Sequence, residues 1–244
     1  MIFITSSMAK ITASVILPTY NEAGNIIKLI DTIRKILDEK RVQYEVIVVD
    51  DNSPDETGLL VQKYYVKQPN IRCVVRKKER GLATAIRRGI EQSVGDIIIV
   101  MDTDFNHDPY VLPKLLTQAK KYDVVVGSRF IKGGGMSNKV REKLSMLFNI
   151  WVGFSLGVPV HDYLSGFFAM KQDKLAQIPY DKVFWGYGDY FIRLLYLSKV
   201  RGFTFAEVPS FYKNREYGES KSKFVEMFRD YTATAIALRM NKIK

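Results

Sequence analysis

Through the first half of the chain, short unbroken apolar runs alternate with stretches whose apolar residues recur every three to four positions. Ala13–Leu17, Val46–Val49, Ile71–Val75 and Ile97–Met101 are runs of the first kind, rich in β-branched residues, and predict strands. Gly24–Glu39 sets Ile26, Ile27, Leu29, Ile30, Ile33, Ile36 and Leu37 along one face and predicts a helix, as does Gly81–Gln92. Between them, Ser53-Pro-Asp-Glu56 has the form of a helix start, with Ser53 as N-cap, Pro54 at the first position and Glu56 closing a capping box. Strands that lack in–out alternation are covered on both faces. Residues up to about 128 therefore predict a doubly wound, mostly parallel α/β sheet with its site at the carboxyl ends of the strands.

The second half is less regular. Lys132 to Asn138, with three consecutive glycines, predicts a mobile loop. Arg141–Leu156 predicts a helix, Phe203–Val208 a strand, Pro209–Ser220 a loop and Ser222–Met240 an amphipathic helix. No repeat, low-complexity tract or linker separates the halves, so residues 1–244 are expected to form one domain.

Charge changes the picture more than composition does. Lys and Arg number 37 against 26 Asp and Glu, a net +11 that calls for a polyanionic partner, an anionic surface or a phosphorylated substrate. A lone cysteine, Cys73, excludes an intrachain disulfide and a cysteine-based zinc site, and its apolar run predicts an inert buried thiol. No stretch reaches the roughly 20 apolar residues that span a bilayer, and Met1 to Lys10 lacks the form of a signal peptide. The chain is expected in the cytosol, in contact with membranes only peripherally. The basic clusters Arg76-Lys-Lys-Glu-Arg80 and Arg87-Arg88 fit nucleic acid, anionic lipid or a solvated face, and no nucleic-acid motif accompanies them. The stripe Met146, Leu147, Phe148, Ile150, Trp151 and Phe154 is too wide for an ordinary surface helix and fits either core or a membrane-facing acceptor groove. The last helix, with Phe224, Met227, Phe228, Tyr231, Ile236 and Leu238, poses the same alternative.

The chemistry-bearing residues fall at predicted strand ends. Asn21-Glu22 follows the first strand, Asp50-Asp51 ends the second and Asp102-Thr-Asp104 ends the fourth. In an open parallel sheet these ends share one rim, where five carboxylates would repel one another by several kcal/mol unless compensated. A divalent cation and basic side chains remove that cost. An Asp-x-Asp turn delivered by a buried strand suits Mg²⁺ or Mn²⁺, with open positions for phosphate and water. Asn106 stands where it can add an oxygen ligand, and His107 is expected to be structural.

In this order, Pro18-Thr-Tyr-Asn-Glu22, Val49-Asp-Asp-Asn-Ser-Pro-Asp55, Gly81-Leu-Ala-Thr-Ala85, Asp102-Thr-Asp104, Gly127-Ser-Arg129 and Arg215-Glu-Tyr-Gly-Glu-Ser-Lys221 resemble the dolichol-phosphate mannose synthases. These are inverting nucleotide-sugar transferases of glycosyltransferase family 2, and the resemblance runs from about Ser14 to Lys223. It implies a Rossmann-like nucleotide-sugar-binding half over about 14–128 and an acceptor-side half over about 129–244. It further implies that Pro18, Tyr20, Glu22, Val49 and Asp51 hold the nucleoside. Asp102, Thr103 and Asp104 would sit at the diphosphate and metal, with Asn106 as a further ligand. Arg129, Arg215 and Lys221 would contact phosphates, and Asp102, Asp104 and Arg129 would be the catalytic set. The donor implied is GDP-mannose, with UDP-glucose open, because Thr103 and the segment Asp51-Asn-Ser-Pro-Asp-Glu56 depart from the family pattern. The acceptor implied is a polyprenyl phosphate. A hydroxyl acceptor served by Asp189 as base is the alternative enzyme, and a non-enzymatic nucleic-acid or lipid binder the alternative class.

Overall fold

The computed structural model describes residues 12–213 and 224–240. In chain order the elements are β1 (Ala13–Thr19), α1 (Ile26–Glu39), β2 (Tyr44–Asp50), α2 (Thr57–Tyr64), β3 (Ile71–Val75), α3 (Leu82–Gln92), β4 (Ile97–Val100), α4 (Leu112–Ala119) and β5 (Val124–Ser128). They continue with β6 (Gly135–Met136), α5 (Lys139–Leu156), β7 (Phe168–Lys171), the single turns α6 (Gln172–Leu175) and α7 (Tyr180–Val183), α8 (Tyr190–Val200), β8 (Phe205–Pro209), β9 (Phe211–Tyr212) and α9 (Phe224–Arg239).

The main sheet has the order β3-β2-β1-β4-β7-β5-β8. Every pairing is parallel except those of β7, which runs antiparallel to both β4 and β5. Alternate residues of one strand enter opposite layers. Ile16 of β1 belongs to the core layer that holds residues of α3, α5, α8 and α9, whereas Val15 and Leu17 belong to the one that holds residues of α1, α2 and α4. Both faces are covered, as the unbroken apolar runs require. The parallel register brings Thr19, Asp50 and the residues after Val100 to one rim.

Three expectations are corrected here. The segment after Pro54 does not start a helix at Ser53. Glu56 takes a left-handed backbone, φ 61°, and α2 begins only at Thr57. The Ser53 hydroxyl instead donates to Asp50 and accepts the Asn21 N–H at 2.9 Å, so it ties two rim loops together. The glycine-rich run is not simply a loop either, since Gly135 and Met136 pair in parallel with Phe211 and Tyr212. That ribbon also takes Phe211 and Tyr212 out of the loop expected after Pro209.

α5 resolves its own ambiguity by doing two things. Phe148, Val152 and Leu156 enter the core, while Val140, Leu144, Leu147, Ile150 and Phe154 face outward, Phe154 with 90% of its surface exposed. α9 packs beside it, burying Tyr231, Ala235 and Leu238. Among the described residues, no helix is long and apolar enough to cross a membrane.

Candidate functional site

Two cavities open along the rim. The first, about 310 Å³, lies over the carboxyl ends of β1, β2 and β4. Pro18, Tyr20, Glu22, Asp51, Asp102, Thr103 and Asp104 all line it, so the expected donor residues come together. Val49 does not: it is fully buried in the core, because strand alternation turns its side chain to the sheet face that α3 covers. Asp50 is turned aside too, its carboxylate accepting the Ser53 N–H at 3.0 Å and the Ser53 hydroxyl.

At Asp51 the repulsion expected among these acids is relieved by neighbours in the protein. Arg76, buried with Asp51, donates to Asp51 Oδ1 through Nε at 2.7 Å and through Nη2, and the Gly81 N–H donates to Oδ2 at 2.8 Å. Arg80 lies 4.9 Å from the centre of the Tyr20 ring. Of the basic cluster, Arg80 thus lines this cavity and Arg76 braces its Asp51 from behind, while Lys77 and Lys78 are exposed. Charge runs in sequence do not separate these roles; only the fold of the β3–α3 loop does. Thr19 lines the same wall, and its buried hydroxyl has no hydrogen-bond partner among the described residues. A buried unpaired hydroxyl is costly, so it marks a position where a ligand atom would relieve that cost.

The Asp102–Asp104 turn is held from beneath. The Asp102 N–H donates to His107 Nδ1 at 2.8 Å, which puts the ring proton on Nε2, facing the Ser165 carbonyl and the Tyr212 hydroxyl. His107 is fully buried and stacks on Phe167, and burial lowers its pKa to about 4, so the ring is neutral. It is structural, as expected. Asp104 accepts from the Asn106 N–H at 3.1 Å and its side-chain amide at 2.8 Å. Among the described residues no three His, Cys, Asp or Glu side chains form a ready metal cluster. Two carboxylates and an amide oxygen on one turn nonetheless fit a hard cation that takes its remaining ligands from phosphate and water.

The second cavity, about 320 Å³, continues from the first toward α5 and α9. Leu82, Asp102 and Tyr187 line both, so the two meet at Asp102. Arg129, Arg141 and Lys213 supply its positive charge, and Leu164, Met227 and Tyr231 its apolar wall. A smaller recess of about 70 Å³ extends it between Ser145 and Phe228. Arg129 is buried and bidentate to Asp162, with Nε and Nη2 both at 2.7 Å from its oxygens. Burial alone would lower its pKa, but the Asp162 carboxylate outweighs that and the net shift is upward. Arg141 and Lys213 carry no motif in the sequence and are revealed only by the cavity. Arg215 and Lys221 lie outside the described residues. Asp189 lines neither cavity; its carboxylate accepts from Arg193 and from the Thr234 hydroxyl at 2.9 Å.

The cleft at the strand-end rim, with a carboxylate turn between two cavities, sits on a fold of the glycosyltransferase type A kind. Solved structures agree on the fold. Glucosyl-3-phosphoglycerate synthase from Mycobacterium tuberculosis, in complex with Mn²⁺, UDP and glucosyl-3-phosphoglycerate, superposes with a TM-score of 0.69 at 24% identity, covering 93% of this chain and 79% of that one. Residues 14–178 match the model of glycosyl transferase family 2, and the chain belongs to that family. It is 36% identical over 221 residues to a dolichol-phosphate mannosyltransferase of Pyrococcus furiosus, covering 88% of this chain but only 60% of that protein's length. An undecaprenyl-phosphate mannosyltransferase of Micrococcus luteus is 32% identical over 213 residues, covering 84% of this chain and 85% of that one. A polyprenol monophosphomannose synthase of Mycolicibacterium smegmatis is 31% identical over 214 residues, covering 85% and 79%.

Proposed function

We propose that the chain transfers one hexose, with inversion, from a nucleotide sugar to a polyprenyl phosphate at a membrane surface. The observation that carries this is the change of character along one continuous cleft. It is acidic around Asp102, cationic at Arg129, Arg141 and Lys213, and apolar where it approaches α9. A diphosphate with a cation suits the first part, an acceptor phosphate the second and an isoprenoid the third. Three relatives named for mannosyl transfer to polyprenyl phosphates support the same reading and favour GDP-mannose over UDP-glucose.

In this reading Pro18, Tyr20, Glu22 and Asp51 hold the nucleoside, and Asp102, Asp104 and Asn106 hold Mg²⁺ or Mn²⁺. Bound there, the cation offsets the charge that the departing nucleoside diphosphate gains. Arg129, Arg141 and Lys213 orient the acceptor phosphate, with Arg215 and Lys221 as further phosphate contacts. A phosphate monoester with a second pKa near ~6 is largely dianionic at neutral pH and needs no general base. The engagement of Asp189 with Arg193 and Thr234 agrees, and weighs against a hydroxyl acceptor. The acidic rim likewise weighs against nucleic acid. The outward face of α5 brings the protein to the lipid, on the cytosolic side in this reading.

The test offers radiolabelled GDP-mannose and UDP-glucose, each with a polyprenyl phosphate in detergent, in Mn²⁺, Mg²⁺ or EDTA. Label should enter the organic phase from one donor and only with a cation. Failure of both donors to give lipid-linked sugar overturns the function, and equal turnover in EDTA overturns the role given to Asp102 and Asp104.

A further inference from the structure

Among the described residues Tyr187 is the one aromatic that lines both cavities, and it stands with Asp102 at their junction. Its side chain is half-exposed, at 44%, and its hydroxyl makes no hydrogen bond among the described residues. The turn that presents it is built rigidly. The Tyr187 N–H donates to Asp189 Oδ1 at 3.1 Å, and Arg193 donates to the Trp185 carbonyl. Arg193 is wholly buried, also donates to the Val183 carbonyl at 3.0 Å, and lies 3.7 Å from the centre of the Trp185 ring. Glycines flank the tyrosine. Gly186 has φ +73°, and a Cβ on Gly188 would come 1.9 Å from the Tyr231 hydroxyl. The backbone is therefore pressed against α9, and between these glycines only the Tyr187 side chain projects.

A buried arginine and carboxylate cost desolvation that hydrophobic residues of the same volume would avoid. Here the pair grips both sides of one turn, which accounts for it as a device of position. The position matters chemically. With the diphosphate in one cavity and the acceptor phosphate in the other, the anomeric carbon lies where they meet. There an acceptor oxygen forms the new C1–O bond while the bond to the diphosphate breaks and its electron pair leaves with the nucleoside diphosphate. Water attacking the same carbon would give free hexose and the same leaving group, with a proton lost to solvent. A transferase must hold that second route back.

We propose that Tyr187 packs its ring on the transferred hexose at this junction and excludes water from the anomeric carbon, setting the partition between transfer and hydrolysis. This rests on the function proposed above. The purified full chain, as wild type, Tyr187→Ala, Tyr187→Leu and Tyr187→Phe, would be given GDP-mannose or UDP-glucose with and without polyprenyl phosphate. Lipid-linked and free sugar would both be measured, with thermal midpoints to confirm folding. Tyr187→Ala should raise the ratio of free to lipid-linked sugar at least tenfold. Tyr187→Leu should raise it less, and Tyr187→Phe should stay within twofold of wild type. An alanine variant that slows both products in the same proportion overturns the inference while leaving the function standing. If wild type makes no lipid-linked sugar, the function falls instead. The acceptor-free arm then decides on Tyr187 by whether hydrolysis rises in the alanine variant.

Discussion

Replacing Phe154 by Asp tests whether α5 enters lipid. The ring is 90% exposed and takes no part in the core, so the substitution should leave the fold intact. Full burial of a phenylalanine side chain is worth about 1.5–3 kcal/mol, so insertion of this ring supplies about 2 kcal/mol. The aspartate forfeits that and adds a negative charge beside anionic headgroups, about 1 kcal/mol more at low salt. Together these predict a partition coefficient about a hundredfold lower. Raising salt from about 0.1 M to 1 M shortens the screening length from ~10 Å to ~3 Å. It should remove the electrostatic share and leave a deficit of about thirtyfold, by the same 2 kcal/mol. Co-flotation with anionic and with neutral vesicles across that salt range reads both parts. Equal flotation of wild type and F154D would refute insertion through this face, and the basic side chains alone would then have to hold the protein at the bilayer.

Asp189→Asn should retain substantial transfer to a polyprenyl phosphate with an unchanged pH profile, although the thermal midpoint falls as Arg193 loses its charged partner; a thousandfold loss of turnover in folded protein would restore Asp189 as a base. Arg76→Met should destabilise the fold by about 3 kcal/mol through the buried charge left on Asp51. Adding Asp51→Asn should recover most of that stability in denaturant unfolding without recovering donor affinity. Thr19→Val should be neutral or slightly stabilising while nucleotide affinity, read by calorimetry, falls about tenfold, the worth of one hydrogen bond. The Cys73 thiol is pushed up to about 12, first by burial and then by Asp50, so it stays protonated up to high pH. It should resist a thiol reagent at pH 8 in native protein and react on unfolding.

Strand runs and the acid positions at their ends are local properties, which is why β1, β2, β3, β4 and the Asp102–Asp104 turn could be anticipated to within a few residues. Pairing is not local. Nothing in Phe168–Lys171 itself announces that it inserts antiparallel between β4 and β5, and nothing in Arg76 distinguishes it from Lys77 until Asp51 is seen beside it. Ser53 misled because serine before Pro-Asp-Glu has the chemistry of a cap; here the same hydroxyl serves a partner 32 residues away. The outward face of α5 was ambiguous for a related reason, since an apolar stripe looks alike whether core or lipid covers it.

The placement of β7 bears on how the polypeptide is made. β4 and β5 are close in the chain but never pair with each other; each pairs with β7, which emerges only at Phe168–Lys171. A nascent chain ending near residue 130 would carry two strands with open edges facing an empty lane, the arrangement that invites association with other chains. The segment up to β5 is thus not separable as a folding unit. Synthesis must pass Lys171 before the sheet can close, and a fragment cut after β5 should aggregate even though every residue lining the first cavity except Tyr187 lies within it.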